Sequence, residues 1–239
     1  MTEPAASIEY RAMGSHLVIA IDGPVGSGKS TVARTLASRL GFRYLDTGAM
    51  YRAATLKALR AGADMDDAEA LTAVARSCRI ELAGSFDEPR VLLDGEDVTS
   101  DIRSLDVTNN TYGPSQAPGV RERMVELQRA ASERGPLVAE GRDMGTVVFT
   151  GSPAKFYLDA SVDERARRRH RELAEKGEGI SLDELKRQVI VRDERDSTRE
   201  ASPLRKAEDA VVIDTSTMTV DEVVEHMILI LTARGLASG

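Results

Sequence analysis

The segment Gly23-Pro24-Val25-Gly26-Ser27-Gly28-Lys29-Ser30 constrains this chain more than any other feature, because it matches G-x-x-x-x-G-K-[ST] and stands between an apolar run and a helical pattern. The run Leu17 to Ile21 is continuous rather than alternating, as in a strand buried on both faces of a parallel sheet. Beyond the glycines, Val32, Ala33, Leu36, Ala37 and Leu40 recur at helical spacing until Gly41 stops them. A strand, a glycine-rich turn and a helix in that order aim backbone N–H groups and a helix N-terminus at an anion, so the segment reads as a polyphosphate cradle. Lys29 would then meet the β and γ phosphates of a nucleotide, and the Ser30 hydroxyl the magnesium ion that bridges them. Residue frequencies give the bare pattern by accident in roughly 1% of chains this long. Asp22, just before the loop, reads as a hydrogen-bonding group rather than a catalytic base. Switch GTPases, ATPase motors and kinases share such a loop, so the acceptor has to be found elsewhere in the chain.

Further strands are predicted at Phe42 to Leu45, Leu137 to Glu140, Lys155 to Leu158 and Val211 to Asp214, with a helix from about Ala49 to Ala61 closed by Gly62. Strands alternating with helices imply an open α/β sheet. Ser161 with Glu164, Ser181 with Glu184 and Thr219 with Glu222 carry the helix-start pattern Ser/Thr-x-x-Glu. The rhythm breaks between Arg79 and Ser100, where Arg79 to Ala83 and Arg90 to Leu93 predict a small antiparallel insertion. Residues 1–15 are small, polar and aperiodic and are expected to form a flexible tail, with Met13 an alternative start. One domain is expected over 16–239.

The apolar run at Leu17 is far short of the ~20 residues a bilayer span needs. Residues 1–15 lack an apolar signal region and carry Glu3 and Glu9, so a cytoplasmic protein without a membrane partner is expected. The lone Cys78 cannot form an intramolecular disulfide and fits a reducing compartment. A net charge of -7 and a pI near 5.2 speak against a nucleic-acid partner. Of the 32 basic residues 26 are arginine, the side chain suited to bidentate anion contacts.

These arginines gather at loops and strand ends. In Asp46-Thr47-Gly48-Ala49-Met50-Tyr51-Arg52, Thr47 and Arg52 suit a second phosphate. Arg121 opens a helix and, taken alone, reads as a solvated surface residue. In Glu140-Gly141-Arg142-Asp143-Met144-Gly145-Thr146, adjacent Arg142 and Asp143 offer a phosphate donor and an acceptor for an amino group. Arg192, Asp196 and Arg199 repeat at i, i+4, i+7, which predicts one helical face carrying all three, as a site or as a salt-bridge ladder. The arginine-dense stretch Arg165 to Arg171 fits a mobile lid over a polyphosphate, a solvated face balanced by Glu164, Glu172 and Glu175, or an RNA contact.

Together the loop, Leu45 to Arg52, Gly95-Glu96-Asp97-Val98, Glu140 to Val148 and Arg192-Asp193-Glu194-Arg195-Asp196 resemble the bacterial cytidylate kinases over almost the whole chain from Val18. The resemblance implies the P-loop nucleoside monophosphate kinase fold: a five-stranded parallel sheet with helices on both faces, an insert at about 74–106 and a short lid at about 164–180. It implies ATP-dependent phosphorylation of CMP and dCMP in pyrimidine nucleotide metabolism, with Mg²⁺, by a monomer. ATP would lie on Gly23, Pro24, Val25, Gly26, Ser27, Gly28, Lys29, Ser30 and Thr31, with Ser30 on the metal, and Arg165, Arg168 and Arg169 would belong to the lid. Thr47, Arg52 and Arg142 would hold the monophosphate, Arg121 and Asp143 would read the cytosine, and Tyr51, Arg192 and Asp196 would lie near the ribose. Lys29, Arg142 and Arg199 would act on the reacting phosphates. Where the family carries a serine near the base, this chain has Tyr112. Alternatives from the residues alone are another P-loop phosphotransferase and a nucleotide-switched RNA-binding protein.

Overall fold

In the computed structural model, which describes residues 17–84, 88–175, 177 and 179–237, the glycine-rich loop leaves a strand whose side chains are all buried, β1 (Val18–Asp22). The expected tail over 1–15 lies outside the described residues. The chain continues as α1 (Lys29–Leu40), β2 (Arg43–Asp46), α2 (Thr47–Arg60) and α3 (Ala68–Ser77), then β3 (Ile80–Gly84), β4 (Pro89–Leu93) and β5 (Glu96–Asp97). Next come α4 (Leu105–Asn110), α5 (Tyr112–Gln116), α6 (Pro118–Ser132), β6 (Leu137–Gly141) and β7 (Ala154–Asp159). The last elements are α7 (Val162–Glu175), α8 (Leu182–Thr198), β8 (Val211–Asp214) and α9 (Val220–Ala233).

The main sheet has five parallel strands in the order β2-β6-β1-β7-β8. The chain runs from central β1 to the edge at β2, returns through β6, and then builds outward on the other side of β1. The order therefore reverses beside β1, and the carboxyl ends of β1 and β6 open a crevice of the kind where α/β sheets bind ligands. Alternation along β1 divides the core between the two faces. Ile19 and Ile21 pack with Leu36, Phe156, Val224 and Met227 on one face, while Val18 and Ala20 pack with Met50, Met124, Leu137 and Met144 on the other. A third, small apolar cluster of Ala166, Leu173 and Leu185 joins α7 to α8.

The expected open sheet and antiparallel insertion are present, the insertion gaining a short third strand, β5. Ser161, Ser181 and Thr219 cap α7, α8 and α9 by accepting from the backbone N–H groups of Glu164, Glu184 and Glu222. Only at Thr219 does the glutamate reach back to complete the reciprocal box. α2 begins two residues earlier than its apolar spacing suggests, because the Asp46 carboxylate accepts from Ala49 N at 2.8 Å and caps the helix at the end of β2. One expectation fails at α8. The helix ends at Thr198 and Arg199 has left helical geometry, so Arg192 and Asp196 share a helix but Arg199 approaches from beyond its end. Among the described residues no helix is long and apolar enough to cross a membrane.

Candidate active site

The phosphate loop lies tight against the sheet. A Cβ at Gly23 would come within 2.0 Å of the Leu158 carbonyl oxygen, a contact only glycine allows. Lys29, the first residue of α1, is 5% exposed and donates to Pro24 O at 2.7 Å and Ser27 Oγ at 3.5 Å, so its ammonium is held inside the loop it serves. Burial, helped by the nearby Arg142 charge, pushes this amine well below the usual lysine range. Ser30 Oγ donates to Glu140 Oε1 at 2.6 Å, and Tyr44 Oη donates to the same oxygen at 3.1 Å. Thr31 follows on the exposed side of α1. Glu140 was given no role from the sequence. An acid closing a buried apolar strand was the available signal, and its burial raises its pKa.

Asp22 is 3% exposed and accepts from Met144 N and Gly145 N, both at 2.8 Å, which fixes the single π-helical turn Met144–Val148 behind the crevice. That is the hydrogen-bonding role read from the sequence. Burial lifts its pKa from 3.8 to about 6, against the pull of those two N–H groups. A carboxyl raised in the folded state stabilises the fold fully below about pH 4 and loses that contribution as pH rises through 6. Asp22→Asn therefore has a signature: between pH 4 and 7 the stability of the native protein relative to the variant falls, by about 3 kcal/mol at most. Denaturant melts across that range check it, and a pH-independent difference would contradict it.

On the other side of the crevice, Thr47 opens α2 and donates through Oγ1 to Glu140 O at 2.7 Å. Arg52 pairs with Asp46 at 3.2 Å. Arg142 Nε donates to Asp196 Oδ2 at 2.8 Å, linking the end of β6 to α8, where Arg192 is exposed. Arg121 and Asp143 form a direct ion pair whose side chains are 5% and 7% exposed. The surface reading of Arg121 is thereby overturned: its guanidinium also donates to Ser115 O and lies over the Tyr51 ring, 5.5 Å from the centroid. Buried Arg199 donates to Ser202 O at 2.6 Å and feels the charges of Arg121, Asp143 and Asp196. Arg52 Nε, Arg121 Nε and Arg199 Nη2 are buried without a hydrogen-bond partner among the described residues. Such donors are costly to bury unless an acceptor arrives.

Tyr112 faces α8. It opens the short helix α5, is 47% exposed, and its ring lies 5.2 Å from the guanidinium of Arg195 on α8. Tyr112→Ser should therefore cost about 1 kcal/mol or less, not the ~3 kcal/mol of a core truncation. A thermal melt separates the two.

The arginine-dense stretch divides by helical phase. Arg167 and Arg171 are exposed and pair with Glu164, as a solvated face requires, and Arg169 pairs with Glu172 at 3.6 Å. Arg168 donates to Thr215 Oγ1 at 3.0 Å, and Thr215 in turn donates to Ser27 O in the phosphate loop. Arg165 differs from the lid expectation: it is buried and fastened to the protein rather than free to reach a phosphate.

A parallel sheet with a lysine-bearing phosphate loop at its switch point, faced by buried arginines, is the fold and site of a P-loop nucleotide-binding protein. The family model for cytidylate kinase matches residues 19–233. The cytidylate kinase of Desulforamulus reducens is 50% identical over 216 residues, covering 90% of this chain and 97% of its own. That of Geobacillus kaustophilus is 49% identical over 222 residues, with 93% and 99% covered. That of Corynebacterium efficiens is 48% identical over 213 residues, with 89% and 93% covered. The chain belongs to the cytidylate kinase family.

Proposed function

We propose that this protein transfers the γ phosphoryl group of ATP to CMP and dCMP, giving ADP and the cytidine diphosphate, as a monomeric cytoplasmic enzyme of pyrimidine nucleotide metabolism. The observation that carries the reading is the buried Arg121 and Asp143 pair beside arginine donors without partners. One carboxylate and one guanidinium suit the donor and acceptor edge of cytosine, and the remaining cations suit its phosphate.

The acceptor phosphate is already an oxyanion at neutral pH, so no general base is needed. Positioning and charge neutralisation carry the reaction. Thr47, Arg52 and Arg142 hold the acceptor phosphate, with Tyr51, Arg192 and Asp196 toward the ribose. Lys29 and Arg199 offset the charge that builds between donor and acceptor. Ser30 and Glu140 fit a magnesium ion carried by the nucleotide, being hard oxygen donors joined beside Lys29. Bound there, it would screen the β and γ oxygens.

ADP formation from ATP with CMP, dCMP, UMP or AMP as acceptor tests the reading. CMP and dCMP should support turnover far better than UMP and AMP. A preference for UMP or AMP, or ADP formation independent of any nucleotide acceptor, would overturn it.

A further inference from the structure

Arg165 is among the most heavily bonded side chains near the crevice. Nε donates to Ala160 O, just beyond β7, at 2.9 Å, and Nη1 donates to Val25 O inside the phosphate loop at 3.2 Å. The same Nη1 lies 2.6 Å from Asp193 Oδ2 on α8. The backbone of α7 presses on the loop here as well, since a Cβ at Gly26 would lie 3.0 Å from the Arg165 Cβ. Asp193 precedes Asp196 by three residues, so the two carboxylates lie on neighbouring positions of one helix face. Asp196 holds Arg142, and the Asp193 charge reaches Arg142 too. Polar contacts thus tie the donor loop at Val25 through Arg165 to Asp193, and the α8 backbone carries the link one turn on to Asp196 and Arg142 on the acceptor side.

The apolar contacts of the α7 and α8 hairpin are largely its own, the cluster of Ala166, Leu173 and Leu185 being separate from both sheet cores. How α8 sits over the crevice is therefore set mainly by polar fastenings, and Arg165 bonds directly to both α8 and the loop.

We propose that Arg165 and Asp193 are positioning residues that couple occupancy of the ATP loop to the placement of α8, and so to the affinity of the CMP site. The inference rests on the substrate assignment above. A triphosphate that orders the loop also orders the Val25 carbonyl, which fixes Arg165 and, through Asp193, the helix carrying Asp196. The cost of ordering is then met once, and the second substrate binds to an arranged site. By reciprocity, CMP tightens ATP to the same degree.

Calorimetric titration of CMP with and without a non-hydrolysable ATP analogue and Mg²⁺ reads this coupling directly. The native protein should bind CMP roughly tenfold more tightly with the analogue present. In Asp193→Asn the ratio should fall to near one, while each ligand alone binds within a few fold of native. Arg165→Lys keeps the charge but cannot donate to Val25, Ala160 and Asp193 from one planar fork, and should lose the coupling in the same way. Thermal melts identify any variant that fails to fold, and Asp193→Glu, which keeps the charge, should recover part of the ratio. A merely structural role would weaken both ligands and leave the ratio unchanged, which overturns the proposal, as does a native ratio of one. Failure of CMP to bind the native protein under any condition would overturn the substrate assignment itself, a result distinct from binding without coupling.

Discussion

Lys29→Ala is expected to lower turnover by roughly 10²- to 10³-fold while the protein remains folded. The contacts of Lys29 explain both halves of the result. Its ammonium donates to Pro24 O and Ser27 Oγ of its own loop, and no ion pair with a carboxylate ties it into the fold among the described residues. Burial disfavours its charge, so removing it relieves a desolvation cost that offsets the packing lost with the alkyl stem. In the loaded site the balance reverses, because two phosphate groups bring negative charge into the same small volume. Losing one preorganised donor there costs about 3 to 4 kcal/mol of transition-state stabilisation. The measurement is steady-state turnover beside a thermal melt of the free protein. Turnover within tenfold of native in a folded variant would remove the loop from the chemistry.

The sheet was legible because its central strands are buried on both faces, which leaves continuous apolar runs such as Leu17 to Ile21 that need no knowledge of their partners. The caps at Ser161, Ser181 and Thr219 were legible for a similar reason, since each is a contact within one turn of chain. What the sequence hid depends on contacts made at long range. The α5 helix contains Gly113 and Pro114, residues that signal a turn, yet Pro114 is buried and packing overrides the local preference. Arg165 and Arg167 are indistinguishable in a charge run. Only the phase of α7 against the loop buries the first and leaves the second in solvent. Arg121 is drawn from the surface by partners that no local pattern reveals, among them Asp143, 22 residues away. Glu140 takes its importance from Ser30, 110 residues earlier, where strand order rather than local pattern brings the two together.

Asp143 is the residue at which stability and specificity pull on the same side chain, and two substitutions separate them. In Asp143→Ala the Arg121 guanidinium stays buried with its counter-ion gone. Both members of the pair are almost wholly shielded from water, so solvent screening gives little relief, and the expected loss of stability is about 3 to 5 kcal/mol. Asp143→Asn keeps the shape and one acceptor, and should fold closer to native. Its consequence for recognition follows from the base edges: the N4 amino group of cytosine donates a hydrogen bond, whereas O4 of uracil can only accept one. A buried carboxylate facing that position accepts from cytosine and repels uracil, while an amide can turn either its oxygen or its N–H₂ toward the base. In Asp143→Asn, kcat/KM for CMP should therefore fall by about 10²-fold with UMP changed by less than tenfold, closing much of a gap that a hydrogen-bonded site can hold at several orders of magnitude. Parallel kcat/KM measurements with the two nucleotides read the difference. An equal loss for both would mean that Asp143 acts only by orienting Arg121, and discrimination between the pyrimidines would then have to come from Arg121 itself, whose guanidinium can donate but never accept.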